Sequence, residues 1–258
     1  MKGINNKLQE CYNYNLISIF TCISLRQKRV VETMKTASPG TKAKICEAAI
    51  SLFTSQGFRG TTIRQIAQKA DVNIALISYH FGGKKGLLEE LVMSFYEGYV
   101  RRLEVVYHTS TKETARGALM ELTEKLLSYQ KNNLELARFV HREMTLDSTL
   151  IRELMSTYLA KEKYYLNAFF EKGIKRREFK RQSVDLLSVQ YKEMIVLPFL
   201  QPLYLTEVFH LPVGENVFYR DYQKWINSWI ERFVCVPEKK PSILSNVLFG
   251  SVQEKWGG

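Results

Sequence analysis

The chain has 258 residues, 45% of them hydrophobic and six of them prolines, which allows two modest domains with a buried core and excludes a chain disordered throughout. Its net charge of +11 favours a polyanionic partner, nucleic acid first and an anionic membrane second, although a solvated basic surface can carry the same excess. The scattered cysteines form no Cys-x-x-Cys pair, which argues against structural zinc and against a disulfide framework and suits a reducing cytoplasm; they are Cys11, Cys22, Cys46 and Cys235.

The N-terminal residues 1–40 are predicted to be an extension outside the folded domains. The apolar run at residues 16–25 is half the length that a membrane span needs, about 20 residues. It also lacks the small-residue cleavage site of a signal peptide. Met34 stands just before the first helical pattern, so we expect translation to begin there and residues 1–33 to come from an over-extended gene prediction.

Three short helices are predicted over residues 41–86. The first runs from Thr41 to Gln56 and ends at Gly57, and the second begins at Thr62, where Gln65 completes a capping box. A three-residue turn ends in Asn73, a predicted N-cap, and "IALISYHF" forms the third helix. This spacing predicts a helix-turn-helix, and its seven lysines and arginines against two acidic residues favour contact with phosphates.

Residues 41–92, "TKAKICEAAISLFTSQGFRGTTIRQIAQKADVNIALISYHFGGKKGLLEELV", resemble the DNA-binding domain of the TetR family of bacterial regulators. The resemblance rests on the G-F-x-G-T-T turn, the I-A-x-x-A-x-V run and the Y-H-F-x-x-K-x-x-L-L block, all at the family's spacing. It implies a homodimer that binds a palindromic site in double-stranded DNA, with the third helix of each subunit in a major groove.

The resemblance also implies a role for each matching residue. Phosphate or outer-base contacts are expected at the start of the second helix, phosphate contacts at the end of the third, and a further phosphate contact at the start of the fourth. In that order they are Thr62 and Arg64, Tyr79 and His80, and Lys84. Base-facing positions are expected at Asn73, Ile74, Ala75, Leu76 and Ser78.

Several of these positions have a plainer interpretation. Phe81 is expected in the core, and His80 outside this motif would be an ordinary packed or exposed histidine. Ile74 and Leu76 are unusual for hydrogen-bonded base recognition, so they either touch thymine methyl groups or pack within the protein. With few polar side chains facing the bases, part of the specificity is expected to come from DNA shape.

The rest of the chain is predicted to be helical as well, so the fold class is all-α with a TetR-like arrangement. A larger dimerisation and regulatory domain is expected over residues 87–234 and a C-terminal tail over 235–258. Two of its helices carry apolar stripes that could be ordinary core or a dimer face. The predicted dimer residues are Leu187, Tyr191, Tyr222, Trp225, Ile226, Trp229 and Phe233.

No catalytic, metal or cofactor site is expected in this domain, and the protein is predicted not to be an enzyme. His141 and Glu143 point to opposite sides of a helix, while Glu143 and Asp147 share a face and are predicted to be solvated or paired at the surface. The basic run at 172–182 is expected to be an exposed connection between helices rather than a second polyanion site.

Residues 138–166 resemble the bodies of RefZ-type regulators of spore-forming bacilli. This narrower resemblance implies binding near the replication origin and control of cell division through FtsZ. The alternative is a ligand-responsive repressor of a neighbouring gene, whose effector the sequence does not identify. A membrane-surface module is a third hypothesis that requires a lipid-bound segment 1–33; otherwise no membrane partner is expected, and the protein is expected in the cytoplasm at the nucleoid.

Overall fold

The computed structural model describes residues 39–110, 114–146 and 149–237. Three predictions therefore fall outside it: the N-terminal extension with its start at Met34, the position of Asp147, and the tail from residue 238. The expected all-α class is confirmed for the described residues, which contain no strand and a single isolated bridge between Phe179 and Cys235.

The described helices follow one another with short connections. In chain order they are α1 Pro39–Gly60, α2 Ile63–Ala70, α3 Ile74–Phe81, α4 Lys84–Thr109, α5 Ala115–Asn132, α6 Leu134–Thr145, α7 Thr149–Lys175, α8 Val184–Leu200, α9 Pro202–Glu207 and α10 Asn216–Trp229. A π-helical turn, Ile230–Val234, follows α10 directly. No described helix is both long and apolar enough to cross a membrane.

The described residues form two compact units, and the chain passes from one to the other after Leu88. We call residues 39–88 the head and residues 89–237 the body. In the head, α2 packs on α1 and α3 packs on α2 around side chains that are fully buried. These are Ile45, Ala49, Phe53, Ile66 and Ile77. Leu52 and Val72 are half-buried.

Glycines close two of the turns in the head. Gly57 interrupts α1 with φ 75°, so the continuous first helix ends at the predicted position. Gly82 and Gly83 have φ 69° and 107° and turn the chain from α3 into α4 within two residues. This tight exit brings the start of α4 against the head.

The body buries aromatic rings from most of its helices. α7 and α6 pack on α8, while α5 packs on α7 and α10. The largest fully buried side chains of this unit are Phe95, Tyr96, Tyr99, Phe139, Phe170, Tyr191 and Phe199.

The end of the described chain is part of the body. Lys180 N–H donates to the Val234 carbonyl and Val236 N–H to the Glu178 carbonyl, both at 2.8 Å. Cys235 lies between these bonds and is buried. The predicted boundary before residue 235 therefore needs correction, because the chain stays hydrogen-bonded to the α7–α8 turn through Val236.

Candidate nucleic-acid interface

The second and third helices start where local capping chemistry places them. The Thr62 side chain accepts the Gln65 backbone N–H at 3.2 Å, and the Gln65 side chain accepts the Thr62 N–H at 2.7 Å, which confirms the predicted capping box. The Asn73 carbonyl oxygen Oδ1 accepts the Ala75 N–H at 2.8 Å, as expected of an N-cap. Both helix starts are thus fixed by side chains that lie at the surface.

Helix α3 has one buried and one exposed side. Ile77 is fully buried and Phe81 is buried, which confirms Phe81 as a core residue. The opposite side presents four exposed residues that we call the α3 strip; they are Ile74, Ala75, Ser78 and Tyr79. A helix held from one side, with a mostly small and apolar opposite side, can enter a DNA major groove.

The predicted contact residues divide between this strip and its margins. Ile74 is 43% exposed and Tyr79 is 74% exposed, whereas Leu76 and His80 are half-buried. The His80 ring lies edge-on between Tyr79 and Phe81, with ring centroids 5.0 and 6.2 Å away. The structure therefore exposes Ile74 and shields Leu76 in part.

Polar and cationic side chains are exposed at the start of α2 and in the turn before it. Thr62 and Arg64, at the start of α2, are exposed, as is Arg59 in the preceding turn. Lys69 is held against α1 by donating to the Ser51 hydroxyl at 2.6 Å. Exposed guanidinium and hydroxyl groups at a helix start are suited to phosphate oxygens.

Lys84 is tied to the head itself. Its ammonium donates to the carbonyl oxygens of Phe58 at 2.9 Å and Thr61 at 2.7 Å, and it lies 4.5 Å from the centre of the Phe58 ring. An ammonium has three donors, so one remains for a phosphate oxygen. The sequence predicted only the phosphate contact and missed the link to the α1–α2 turn.

The predicted dimer residues lie on two sides of their helices. Leu187, Tyr191 and Ile226 are buried within the protomer, and the Tyr191 hydroxyl is 3.0 Å from the Thr123 hydroxyl. Tyr222 is half-buried and donates to the Met194 carbonyl at 2.7 Å. The remaining residues face outward: Trp225 and Phe233 are exposed and Trp229 is half-buried.

An open groove of about 640 Å³ lies along the outer side of α8 and the end of α10. Its lining combines predicted and unpredicted residues; they are Gln182, Leu187, Gln190, Glu193, Met194, Leu197, Trp229 and Phe233. Gln190, Met194 and Leu197 recur at helical spacing, a signal that could have revealed this second face of α8 from the sequence.

Two pairs of polar side chains are buried inside the body. Glu162 is buried and faces Tyr99, whose hydroxyl makes no hydrogen bond of standard length. Burial raises the pKa of the Glu162 carboxyl, while the Lys192 ammonium opposes that rise. His141 bonds the Gln130 side chain at 2.5 Å, and burial lowers its pKa to about 3. The proximity of the Glu162 carboxyl and the Tyr99 phenol could not be predicted from the sequence, because the two residues lie on different helices, α7 and α4.

Glu143 corrects a surface prediction. It was expected to be solvated or paired at the surface, but the structure buries it on α6 together with His141. The reason is that α6 packs against α7 and α8, so both sides of its last turn are covered.

Comparison with known proteins places the chain among bacterial regulators. The profile of a family described as "Bacterial regulatory proteins, tetR family" matches residues 45–91. A Bacillus subtilis protein named "Probable HTH-type transcriptional regulator YttP" is 47% identical over 190 residues, covering 74% of this chain and 92% of that protein.

Solved structures agree in fold. The regulator PfmR from Thermus thermophilus has a TM-score of 0.61 at 20% identity, covering 73% of this chain and 97% of its own. The ketosteroid regulator KstR2 of Mycobacterium tuberculosis has a TM-score of 0.63 at 14% identity, covering 78% and 98%. At these identities the likeness concerns the fold.

Proposed function

The chain belongs to the TetR family of bacterial regulatory proteins, and from this we propose that it regulates transcription by binding palindromic double-stranded DNA as a homodimer. The two α3 helices enter successive major grooves, about 34 Å apart. Neither a catalytic step nor a cofactor is part of this function, and the protein acts at the nucleoid.

The exposed α3 strip is the observation that carries the proposal. Ile77 and Phe81 hold α3 from beneath, so Ile74, Ala75 and Ser78 are free to approach base edges. Ile74 and Ala75 suit thymine methyl groups, and the Ser78 hydroxyl can donate or accept. The Asn73 Oδ1 accepts the capping hydrogen bond from the Ala75 N–H, so its side-chain amide N–H groups can donate to a base. Leu76, half-buried, contributes mainly by packing.

Phosphate contacts flank this strip in the proposal. Thr62 and Arg64 meet the backbone on one side, and Tyr79 and His80 on the other. Lys84 offers its remaining donor to a phosphate while its other two donors hold the α1–α2 turn. These contacts set affinity and register, and the α3 strip sets sequence preference.

We further propose that the protein is a ligand-responsive repressor of a neighbouring gene. The buried groups of the body, above all Glu162 and the Tyr99 hydroxyl, are the convergent polar groups that an effector site between helices requires. The FtsZ-linked division role is the second candidate, and its support is confined to the resemblance over residues 138–166. The name of the relative YttP refers to transcription.

Dimerisation is proposed along the outer side of α8 and α10. Trp225, Trp229 and Phe233 supply its aromatic contacts, and Met194 and Leu197 line the groove beside them. Tyr222 supports this surface through Met194, while Leu187, Tyr191 and Ile226 hold it from within the protomer.

Genome-wide mapping of bound sites tests the function. We expect enrichment at a palindrome beside the protein's own or a divergent gene, and higher expression of that gene in a deletion strain. Palindromes clustered at the replication origin, without a change in transcription, would favour the division role. Tyr79→Ala should lower the enrichment at every site, and Tyr164→Ala, which changes another exposed tyrosine in the body, should leave it unchanged. No enriched site for the wild type would refute DNA binding.

A further inference from the structure

A second exposed apolar surface lies outside the groove. The connector between α8 and α10, residues 201–215, contains the short helix α9 and is anchored by two buried side chains, Leu205 and Val213. Around these anchors the chain exposes six large apolar residues, which we call the connector patch; they are Leu203, Tyr204, Val208, Phe209, Leu211 and Val217. Such a density of exposed apolar side chains marks an interaction site more often than a free surface.

The connector is an ordered platform for contacts. The Leu211 N–H donates to the Leu205 carbonyl at 3.0 Å and the Val213 N–H to the Leu211 carbonyl at 2.8 Å. The Tyr204 and Phe209 rings meet edge to face, 5.2 Å apart, although both are exposed. These local bonds fix the patch before any partner arrives, which lowers the entropy lost on binding.

The distribution of charge favours a second copy of this chain as the partner of the connector patch. Residues 202–213 contain one charged side chain, Glu207, in a chain whose net charge is +11. Two copies of so basic a chain repel each other over most of their surface, and the repulsion is weakest where charge is absent. In an isologous contact the same surface of both copies meets itself, so that surface must be complementary to itself. An uncharged apolar patch meets this requirement, because it brings no like charges together.

The position of the connector in the fold also favours a second copy of this chain as the partner. The connector joins the C-terminal end of α8 to the N-terminal end of α10, the two helices whose outer sides carry the proposed dimer face. We propose that the connector patch packs on a second copy of this chain and extends the dimer beyond the α8–α10 groove. This inference rests on the homodimer of the proposed function and adds a contact that the groove does not supply.

Sedimentation velocity of the full chain over a dilution series tests it. The double variant Leu203→Ser/Phe209→Ser should raise the dimer dissociation constant at least about tenfold. A matched double variant at exposed apolar positions elsewhere in the body, Leu146→Ser/Val105→Ser, should change it less than about twofold. Below the dimer dissociation constant, where dissociation does not contribute to unfolding, both variants should have the melting temperature of the wild type, since all four side chains are exposed in the protomer.

Hydrogen exchange of the wild type provides the second measurement. The amides of residues 203–211 should exchange more slowly above the dimer dissociation constant than below it. A connector variant that dimerises like the wild type, or connector amides that exchange equally at both concentrations, overturns the inference. A wild type that stays monomeric refutes the homodimer and the connector contact together. A wild-type dimer that binds no DNA refutes only the regulatory function.

Discussion

The Lys84 ammonium lies 2.7 Å from the Thr61 carbonyl oxygen, so the first residue of α4 is bonded to the turn that precedes α2. The same ammonium reaches the Phe58 carbonyl at 2.9 Å. A residue placed at a phosphate position by its motif is therefore also a link that holds the recognition unit together.

Replacing Lys84 should affect stability and DNA binding at once. Lys84→Met removes two charge-assisted hydrogen bonds, and we expect the free energy of unfolding to fall by about 1.5 kcal/mol. Loss of one phosphate contact should reduce the slope of log affinity against log salt by about one. Denaturant melts and binding isotherms at several salt concentrations measure both. An unchanged melt would contradict the link, and an unchanged slope would contradict the phosphate contact.

Replacing Tyr79 should weaken DNA binding without changing stability. Its side chain is 74% exposed, so Tyr79→Ala should leave the melting temperature unchanged. Binding to all sequences should weaken about tenfold, because a phosphate contact carries no sequence information. Fluorescence anisotropy with the palindrome and with scrambled DNA measures this. A loss confined to the palindrome would assign Tyr79 to base recognition instead.

Glu162 should make the body less stable as pH rises. Burial raises its pKa in the folded state, so the folded chain keeps a proton that the unfolded chain releases above its ordinary value near 4.5. This contribution to stability is present at low pH and is lost as pH rises through the raised pKa. Glu162→Gln should remove that loss, so its melting temperature relative to wild type should increase between pH 4 and pH 8. A relative decrease would show that the ionised carboxyl stabilises the fold.

His141 should make the body less stable as pH falls. Its folded pKa of about 3 lies below the ordinary 6.5, so the unfolded chain gains a proton first as the solution is acidified. Stability is lost below pH 6.5, at a limiting slope of about 1.4 kcal/mol per pH unit. His141→Gln should flatten this dependence, as urea melts from pH 7 to pH 4.5 would measure. A variant with the wild-type slope would place the acid sensitivity elsewhere.

Local chemistry made much of the head predictable. The capping box at Thr62, the N-cap at Asn73 and the turn at Gly57 each follow from a side chain and its immediate neighbours. The burial of Phe81 was also predictable, since a helix of two turns must pack one side to be stable.

The body depended on contacts that helical spacing does not encode. The α10 stripe is regular, yet Ile226 is buried and Trp225 next to it is exposed. Which side of α10 faces inward is decided by the position of α5, which no periodicity in α10 can specify. Glu143 was misjudged for the same reason, because its burial comes from α7 and α8.

Cys235 forms a backbone bridge with Phe179, so the reactivity of its thiol reports whether this part of the chain is attached to the body. Burial raises the pKa of the Cys235 thiol, and thiols react with alkylating reagents as thiolates. Modification of this residue in the native protein therefore requires the backbone bonds at Lys180 and Val236 to open first. The rate at which an alkylating reagent labels Cys235 thus measures how often these two backbone bonds open, without an engineered cysteine.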